Sequence, residues 1–385
     1  MRINIFTNIA PHYRKGLWEK LISHKKMDFH FYYGLNDYSK IKKIDLNEFV
    51  FQPFKHHFHI LKNFWFKQKA LIWQTGVIKT CLYTNAKINI FLGEMYCIST
   101  WIAAIICRFK GHTVIFWGHG FYGNEGKIKK NIRRTFYSLA NQHLLYEHRG
   151  KNLMVQAGFN PKNLHVIFNS LDYQKHKNLR NKNNGMRKEE IFSFFENPIL
   201  PTIVFIGRLT PVKRLDMLIQ AISEINSLKQ TVNLLIIGDG LLKSDLMQKG
   251  KKGLEQKWLY FSGACYEEDK IGEHLSLADL CISPGNVGLT AIHSLSFGTP
   301  VGTHGNLLNQ MPEVEAIKDG YNGFYFSEND MEDLIIKTTQ WLRKNPDREA
   351  VRKRCYEIID KHYNPEYQIK VIEKLISESN PENTK

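Results

Sequence analysis

Ser283-Pro-Gly-Asn-Val-Gly-Leu-Thr-Ala-Ile-His-Ser-Leu-Ser-Phe-Gly-Thr-Pro-Val301 decides how the rest of the chain is read. The mostly apolar run 278–282 reads as a strand that stops at Ser-Pro-Gly. From Gly288 the spacing turns helical, with Leu289, Ile292, Leu295 and Ser296 on one face. Gly298-Thr-Pro300 then closes the helix, and Val301 starts another extended segment. A glycine turn that opens a helix leaves backbone N–H groups unpaired beside the positive end of the helix dipole. Such a turn suits a phosphate, although strand–glycine–helix turns also occur where none binds.

The chain has 385 residues, a length for two domains rather than one core. Its 43% hydrophobic and 23% charged content is that of a globular protein. The net charge of +16 is unevenly placed: residues 1–190 hold 31 Lys/Arg against 11 Asp/Glu, and residues 191–385 hold 22 against 26. Solvated lysines are the plain reading of the basic half. The sharper reading is an anionic partner, such as a phospholipid surface, a pyrophosphate-linked acceptor or a nucleic acid. The six cysteines are scattered, without the close pairs that zinc or redox motifs need, and suit core thiols in a reducing compartment. The N-terminus runs straight into a strand, unlike a signal peptide, and the apolar run 97–107 is half a membrane span. These features predict a cytoplasmic protein, peripheral on the inner face of the plasma membrane.

Strand and helix signals alternate twice along the chain. The first series has strands at 2–6, 27–33, 88–92, 111–117, 143–146 and 164–168. Residues 36–70 read as irregular and aromatic, suited to a lipid interface or a satellite core. A basic helix at 127–139 carries Lys127, Lys129, Lys130, Arg133 and Arg134, a pattern that usually marks a solvated face. The second series begins at residue 201. Predicted boundaries are an N-terminal acceptor-binding domain 1–172, a linker 173–198 rich in Lys, Asn, Arg and Glu, a nucleotide-sugar domain 199–364, and a tail 365–385. The expected fold is α/β, with two Rossmann-like domains facing a cleft and the C-terminal helix packed back on the first.

Phe205-Ile-Gly-Arg-Leu-Thr-Pro-Val-Lys-Arg214 offers a second anion-reading element. Arg208 lies just past a buried strand end, and Lys213 lies at the mouth of the next helix. A guanidinium and an ammonium converging on free N–H groups hold a diphosphate well; an ion pair of Arg208 with an acid such as Asp239 is the structural alternative. Taken in order, the segments from Gly207 to Ala221, Leu234-Leu-Ile-Ile-Gly-Asp-Gly240, Phe261-Ser-Gly263, Gly288 to Val301 and Pro312 to Gly323 resemble the retaining glycosyltransferases of family 4. The resemblance covers 200–326 strongly and 165–172 weakly.

The resemblance implies a GT-B fold, a nucleotide-diphosphate-sugar donor on the second domain, an acceptor on the first, and no metal or other cofactor. UDP-sugars are the foremost donors, with GDP- and dTDP-sugars behind them. Arg208 and Lys213 would neutralise the diphosphate, with Gly207 and the amides of Gly288, Leu289 and Thr290. Gly263 and Tyr266 match the base-binding region. Asn286, His293 and Glu313 complete the donor side, with His293 on the ribose. His119, in Trp-Gly-His-Gly, resembles the histidine that many of these enzymes set beside the reacting sugar; a turn-stabilising hydrogen bond is its plainer role. His12, Arg14 and Glu94 are the acceptor-side candidates. Two departures stand out. The family's pair of glutamates eight positions apart reads Gly285 and His293 here, and the first loop lacks the usual Gly-Gly pair.

The expected activity is transfer of a sugar to a lipid-diphosphate-linked saccharide or glycan in capsule or O-antigen biosynthesis, at an anionic membrane surface. The alternatives are a sugar-nucleotide epimerase or a phosphorylase on the same fold, or a basic nucleic-acid-binding protein. No groove-reading motif supports the last, so no nucleic-acid partner is expected.

Overall fold

The computed structural model describes residues 1–35, 41–66 and 70–378. The chain forms two compact units, one of Met1–Asp172 with the segment from Asn364 onward, the other of Tyr173–Tyr363.

The first unit is built on a seven-stranded parallel sheet. Its strands are β1 (Arg2–Thr7), β2 (Asp28–Gly34), β3 (Phe58–Leu61), β6 (Ile88–Leu92), β7 (Thr113–Gly118), β8 (Gln142–Leu145) and β9 (Leu164–Val166), in the order β3-β2-β1-β6-β7-β8-β9. β4 (Asn63–Phe66) and β5 (Leu71–Gln74) form a separate antiparallel pair. Helices cover both faces of the large sheet, so its strands are apolar on both sides. Ile3, Ile5, Phe29, Phe31 and Ile115 meet the helix Lys15–Ile22 on one face. Phe6, Phe91, Val114 and Phe116 meet the helices Ile98–Phe109 and Lys127–Tyr137 on the other.

The C-terminal helix Pro365–Glu378 packs on this first unit, as expected. Ile372, Leu375 and Ile376 enter the same core as Ile3 and Phe31. Gln368 fixes the docking: its Oε1 accepts from Ser170 Oγ at 2.6 Å and its amide donates to the Phe168 carbonyl at 3.0 Å. Residues 379–385 of the expected tail lie outside the described residues.

The second unit holds a six-stranded parallel sheet of β10 (Thr202–Ile206), β11 (Asn233–Ile237), β12 (Leu259–Gly263), β13 (Leu280–Ser283), β14 (Val301–His304) and β15 (Gly323–Phe326). Its order is β12-β11-β10-β13-β14-β15. In both sheets the first strand lies inside and the order reverses beside it, between β1 and β6 and between β10 and β13. A crevice at the carboxyl ends of such a pair is where doubly wound sheets hold ligands.

Two stretches differ from expectation. Residues 36–70 are not irregular throughout: the described part contains a 3₁₀ segment, Phe49–His57, then β3 and β4. Its aromatic residues concealed the strands, because Phe58 stacks on Trp18 and Phe31 and meets Phe51 edge-on instead of alternating. Within that stretch, 36–40 and 67–69 lie outside the described residues. Residues 173–198, read as a linker from their charge, carry the helices Tyr173–Lys182 and Lys188–Ile191 and belong to the second unit. His176, Leu179, Phe192 and Phe195 are buried there, and four apolar or aromatic anchors suffice beneath a polar face.

Candidate functional site

At the carboxyl ends of β10 to β12 the backbone is drawn together by glycines. Gly207 has φ +151° and donates to the Ile237 carbonyl at 3.0 Å, and Gly238 donates to Gly263 at 2.8 Å. A Cβ on Gly238 would stand 1.9 Å from the Gly207 carbonyl oxygen, so only glycine permits this approach. The turn delivers Arg208 to the surface, where its guanidinium has no ion pair or hydrogen bond among the described residues. Asp239, the alternative partner, bonds Lys243 at 3.2 Å and the Gly240 amide at 2.7 Å.

Lys213 closes the 3₁₀ turn Pro211–Lys213 and reaches the loop after β13. Its ammonium donates to the Asn286 backbone carbonyl at 2.5 Å and to Asn286 Oδ1 at 2.7 Å. Burial, then the neighbouring Arg208 charge, lowers the Lys213 pKa to about 8. The charge of Glu313, buried in the 3₁₀ turn Pro312–Ala316, opposes that shift. Arg208, Lys213, Asn286 and Glu313 thus share one neighbourhood.

Gly285 explains the first missing glutamate. A Cβ there would lie 1.8 Å from the Val212 carbonyl oxygen and 2.9 Å from Lys213 Cα. The Gly285 amide instead donates to the Lys213 carbonyl at 3.2 Å, so the two loops touch along their backbones. Gln310 braces the same loop, accepting from the Val287 amide at 2.9 Å and donating to Thr303 Oγ1 at 2.9 Å and the His304 carbonyl at 3.0 Å. Thr290 Oγ1 donates to the Ile206 carbonyl at 3.0 Å, fixing the following helix to the end of β10. That helix, Thr290–Ser296, is only seven residues long, and the amides of Gly288, Leu289 and Thr290 have no protein acceptor among the described residues.

His293 is engaged elsewhere than the sequence suggests. Its Nε2 meets Glu268 Oε1 at 2.5 Å, and His176 Nε2 meets the same oxygen at 2.8 Å, with the two imidazoles stacked 5.1 Å apart. Burial opposes ionisation of Glu268, but the two histidines hold its carboxyl well below the usual range. This trio and Asp28, His30 and His57 are groups close enough to share an ion; in each the carboxylate already meets a histidine. The exposed Tyr266 lines a hollow of about 440 Å³ with Ile237, Ser262 and His274, and Gly263 ends the neighbouring strand β12.

In the first unit, the turns after β6 and β7 are locked together. Tyr137 OH donates to the Gly93 carbonyl at 2.8 Å and accepts from the Gly120 amide at 3.0 Å. Arg133 is not part of a solvated face: it is 2% exposed, pairs with Glu125 at 3.1 Å and donates to the Gly120 carbonyl at 3.1 Å. Its guanidinium also stacks over Tyr122 at 4.7 Å. These turns carry Glu94 and His119. His119 Nδ1 and Glu94 Oε1 are both buried without a hydrogen-bond partner among the described residues. Burial, then Arg133, Arg14 and Arg149, pushes the His119 pKa down to about 4, leaving the imidazole neutral near pH 7. Burial raises the Glu94 pKa against the pull of Arg133.

Arg14 joins this group through Tyr146: it donates to the Tyr146 hydroxyl and lies over the Trp117 ring at 4.9 Å, while His119 is 4.9 Å from the Tyr146 ring. His12 does not join; burial and the charges of Lys42 and Lys15 lower its pKa in a separate setting. Arg133, Tyr137, Glu268 and Gln310 were not singled out as site residues in the sequence, since each acts through a partner far along the chain.

A solved structure from Anabaena, HepE in complex with UDP, superposes with a TM-score of 0.67 over 98% of this chain and 99% of its own, at 14% identity. The fold is that of the GT-B glycosyltransferases. Within that GT-B fold, residues 186–358 match the family model described as Glycosyl transferases group 1, a match inside the second unit. The sulfoquinovosyl transferase SQD2 of Arabidopsis thaliana is 26% identical over 170 residues, 43% of this chain and 31% of that protein. The alpha-monoglucosyldiacylglycerol synthase of Streptococcus pneumoniae is 25% identical over 182 residues, 46% of this chain and 40% of that protein. This chain thus spans less than half the length of either relative. No helix among the described residues is long and apolar enough to cross a membrane.

Proposed function

We propose that the protein is a retaining glycosyltransferase of family 4. In this reading the second unit holds a nucleotide-diphosphate sugar, UDP-linked in the first instance, and the first unit holds a lipid-linked saccharide or glycan acceptor. The observation that carries it is the pairing of Arg208 and Lys213. Two cations sit close enough for one to depress the other, beside an Asn286 that spans only part of the ammonium's donor capacity. A diphosphate relieves that repulsion and accepts the remaining N–H bonds, with the Gly288 to Thr290 amides beside it. Stabilising negative charge as it builds on the leaving diphosphate is the main service such a site renders to glycosyl transfer.

On the acceptor side, the neutral His119 imidazole and the partnerless Glu94 Oε1 suit the hydroxyls of a saccharide. Retention then requires attack on the face that the diphosphate leaves, with a departing phosphate oxygen taking the acceptor proton. The glycolipid named in the Streptococcus pneumoniae relative supports a glycolipid or surface glycan product such as capsule or O-antigen, which this reading places at the inner face of the plasma membrane. The test is incubation with UDP-, GDP- and dTDP-sugars and lipid-linked acceptors, reading the anomeric configuration of the product by NMR. An α-linked product from an α-configured donor agrees with the proposal; an inverted product or no transfer from any donor contradicts it.

A further inference from the structure

An apolar groove of about 850 Å³ lies in the first unit between the helices Ile98–Phe109 and Lys127–Tyr137. Met95, Tyr96, Ile98, Trp101, Ile128 and Ile132 line it, with Lys127 and Lys129 at its edge. The surrounding surface continues the pattern. Ile98, Ile102, Ile105 and Phe109 repeat at helical spacing along one helix and are all exposed, Phe109 to 89%. Ile128 is 79% exposed on the other helix. Contiguous apolar surface of this kind is uncommon on a protein that meets only water.

Charge identifies what covers it. Lys127, Lys129, Lys130 and Arg134 are exposed on the same helix as Ile128, and Arg108 and Lys110 end the other. Between Met95 and Tyr146 the sole acidic residue is Glu125, whose side chain is buried against Arg133. Apolar side chains at the centre and an excess of exposed cations beside them, with Glu94 the acid near Lys129, match an anionic bilayer, where apolar groups enter the headgroup–acyl boundary and lysines meet phosphates. We infer that this face docks the first unit on an anionic phospholipid membrane, with one acyl chain entering the groove beside Trp101. The groove adjoins the Glu94 turn through Met95 and Tyr96. The docking itself does not depend on the glycosyl-transfer reading, and its test involves no sugar.

The test is co-sedimentation of the full chain with phosphatidylcholine vesicles, with and without phosphatidylglycerol. Binding is expected only with the anionic lipid and should fall with added salt. Lys127→Gln with Lys129→Gln should weaken it by roughly fivefold per lysine. Ile128→Asn with Ile132→Asn should remove most of it while leaving the melting temperature near that of the wild type, because Ile128 is exposed. Brominated acyl chains should quench tryptophan fluorescence, and the increment assigned to the groove should vanish in Trp101→Phe. Absence of sedimentation, or sedimentation indifferent to these substitutions, overturns the inference. So does a concentration-dependent dimer that Ile128→Asn dissolves, which would make a second copy the occupant.

Discussion

A side chain at Gly285 would collide with the carbonyl oxygen of Val212, 1.8 Å from the Cβ position. The two loops that bear Lys213 and Asn286 therefore meet backbone to backbone, and a glutamate cannot occupy this position without moving them. Gly285→Glu, which installs the glutamate that the sequence resemblance leads one to expect, should destabilise the protein by about 1–3 kcal/mol, the usual scale for overpacking. It should also weaken UDP binding. Denaturant unfolding and calorimetry read the two effects; a variant as stable as the wild type with tighter UDP binding would contradict this account of the departure.

Arg208→Ala and Lys213→Met should each weaken UDP by roughly 10–100-fold, the scale of one charge-assisted hydrogen bond. The pH dependence follows from the depressed Lys213. In the free protein the ammonium is lost as pH rises through about 8, so UDP affinity should decline above that value and the decline should be absent in Lys213→Met. An affinity flat to pH 9.5, well past the free ammonium's titration, would remove Lys213 from the diphosphate.

His119 bears on acid stability. Its folded pKa of about 4 lies below the ordinary histidine value of 6.5, so between those values the unfolded chain binds the additional proton. Stability contributed by this depression is therefore lost as pH falls from 6.5 toward 4. His119→Gln should flatten the melting-temperature profile over that window relative to the wild type. Parallel profiles would show that the imidazole titrates normally.

Tyr137→Phe should cost about 1–3 kcal/mol, because it strands the buried Gly93 carbonyl and Gly120 amide together. If the acceptor assignment holds, kcat/KM for the acceptor should drop more than UDP affinity, since those turns carry Glu94 and His119. Equal losses in both would point to general destabilisation.

Much of the layout could be read from periodicity: strands such as Leu234-Leu-Ile-Ile237 and glycine ends such as Gly207 and Gly263 stand out because parallel sheets bury both faces. The nearness of Arg208 and Lys213 was legible because both follow the same strand end. What escaped has a common cause. Arg133 looks like one more cation in a basic helix until Glu125 and Gly120 fold over it. His293 looks available to a ribose until Glu268, 25 residues earlier, arrives beside it. The helix Tyr173–Lys182 looks like a linker because its few anchors, His176 and Leu179, are outnumbered by lysine and asparagine. Pattern within a window shows which way a chain runs; it does not show which distant carboxylate neutralises a side chain.

The helix Pro365–Glu378 completes the hydrophobic interior begun at Ile3. During synthesis the second unit, contiguous in the chain, can close as soon as it clears the ribosome, whereas the first must wait with an uncovered apolar face until residues near 376 emerge. A ribosome that stalls or a protease that cuts the nascent chain between Asp172 and Asn364 thus releases an N-terminal fragment lacking part of its own interior. Such fragments should recruit chaperones, and a separately supplied 365–378 peptide should rescue them.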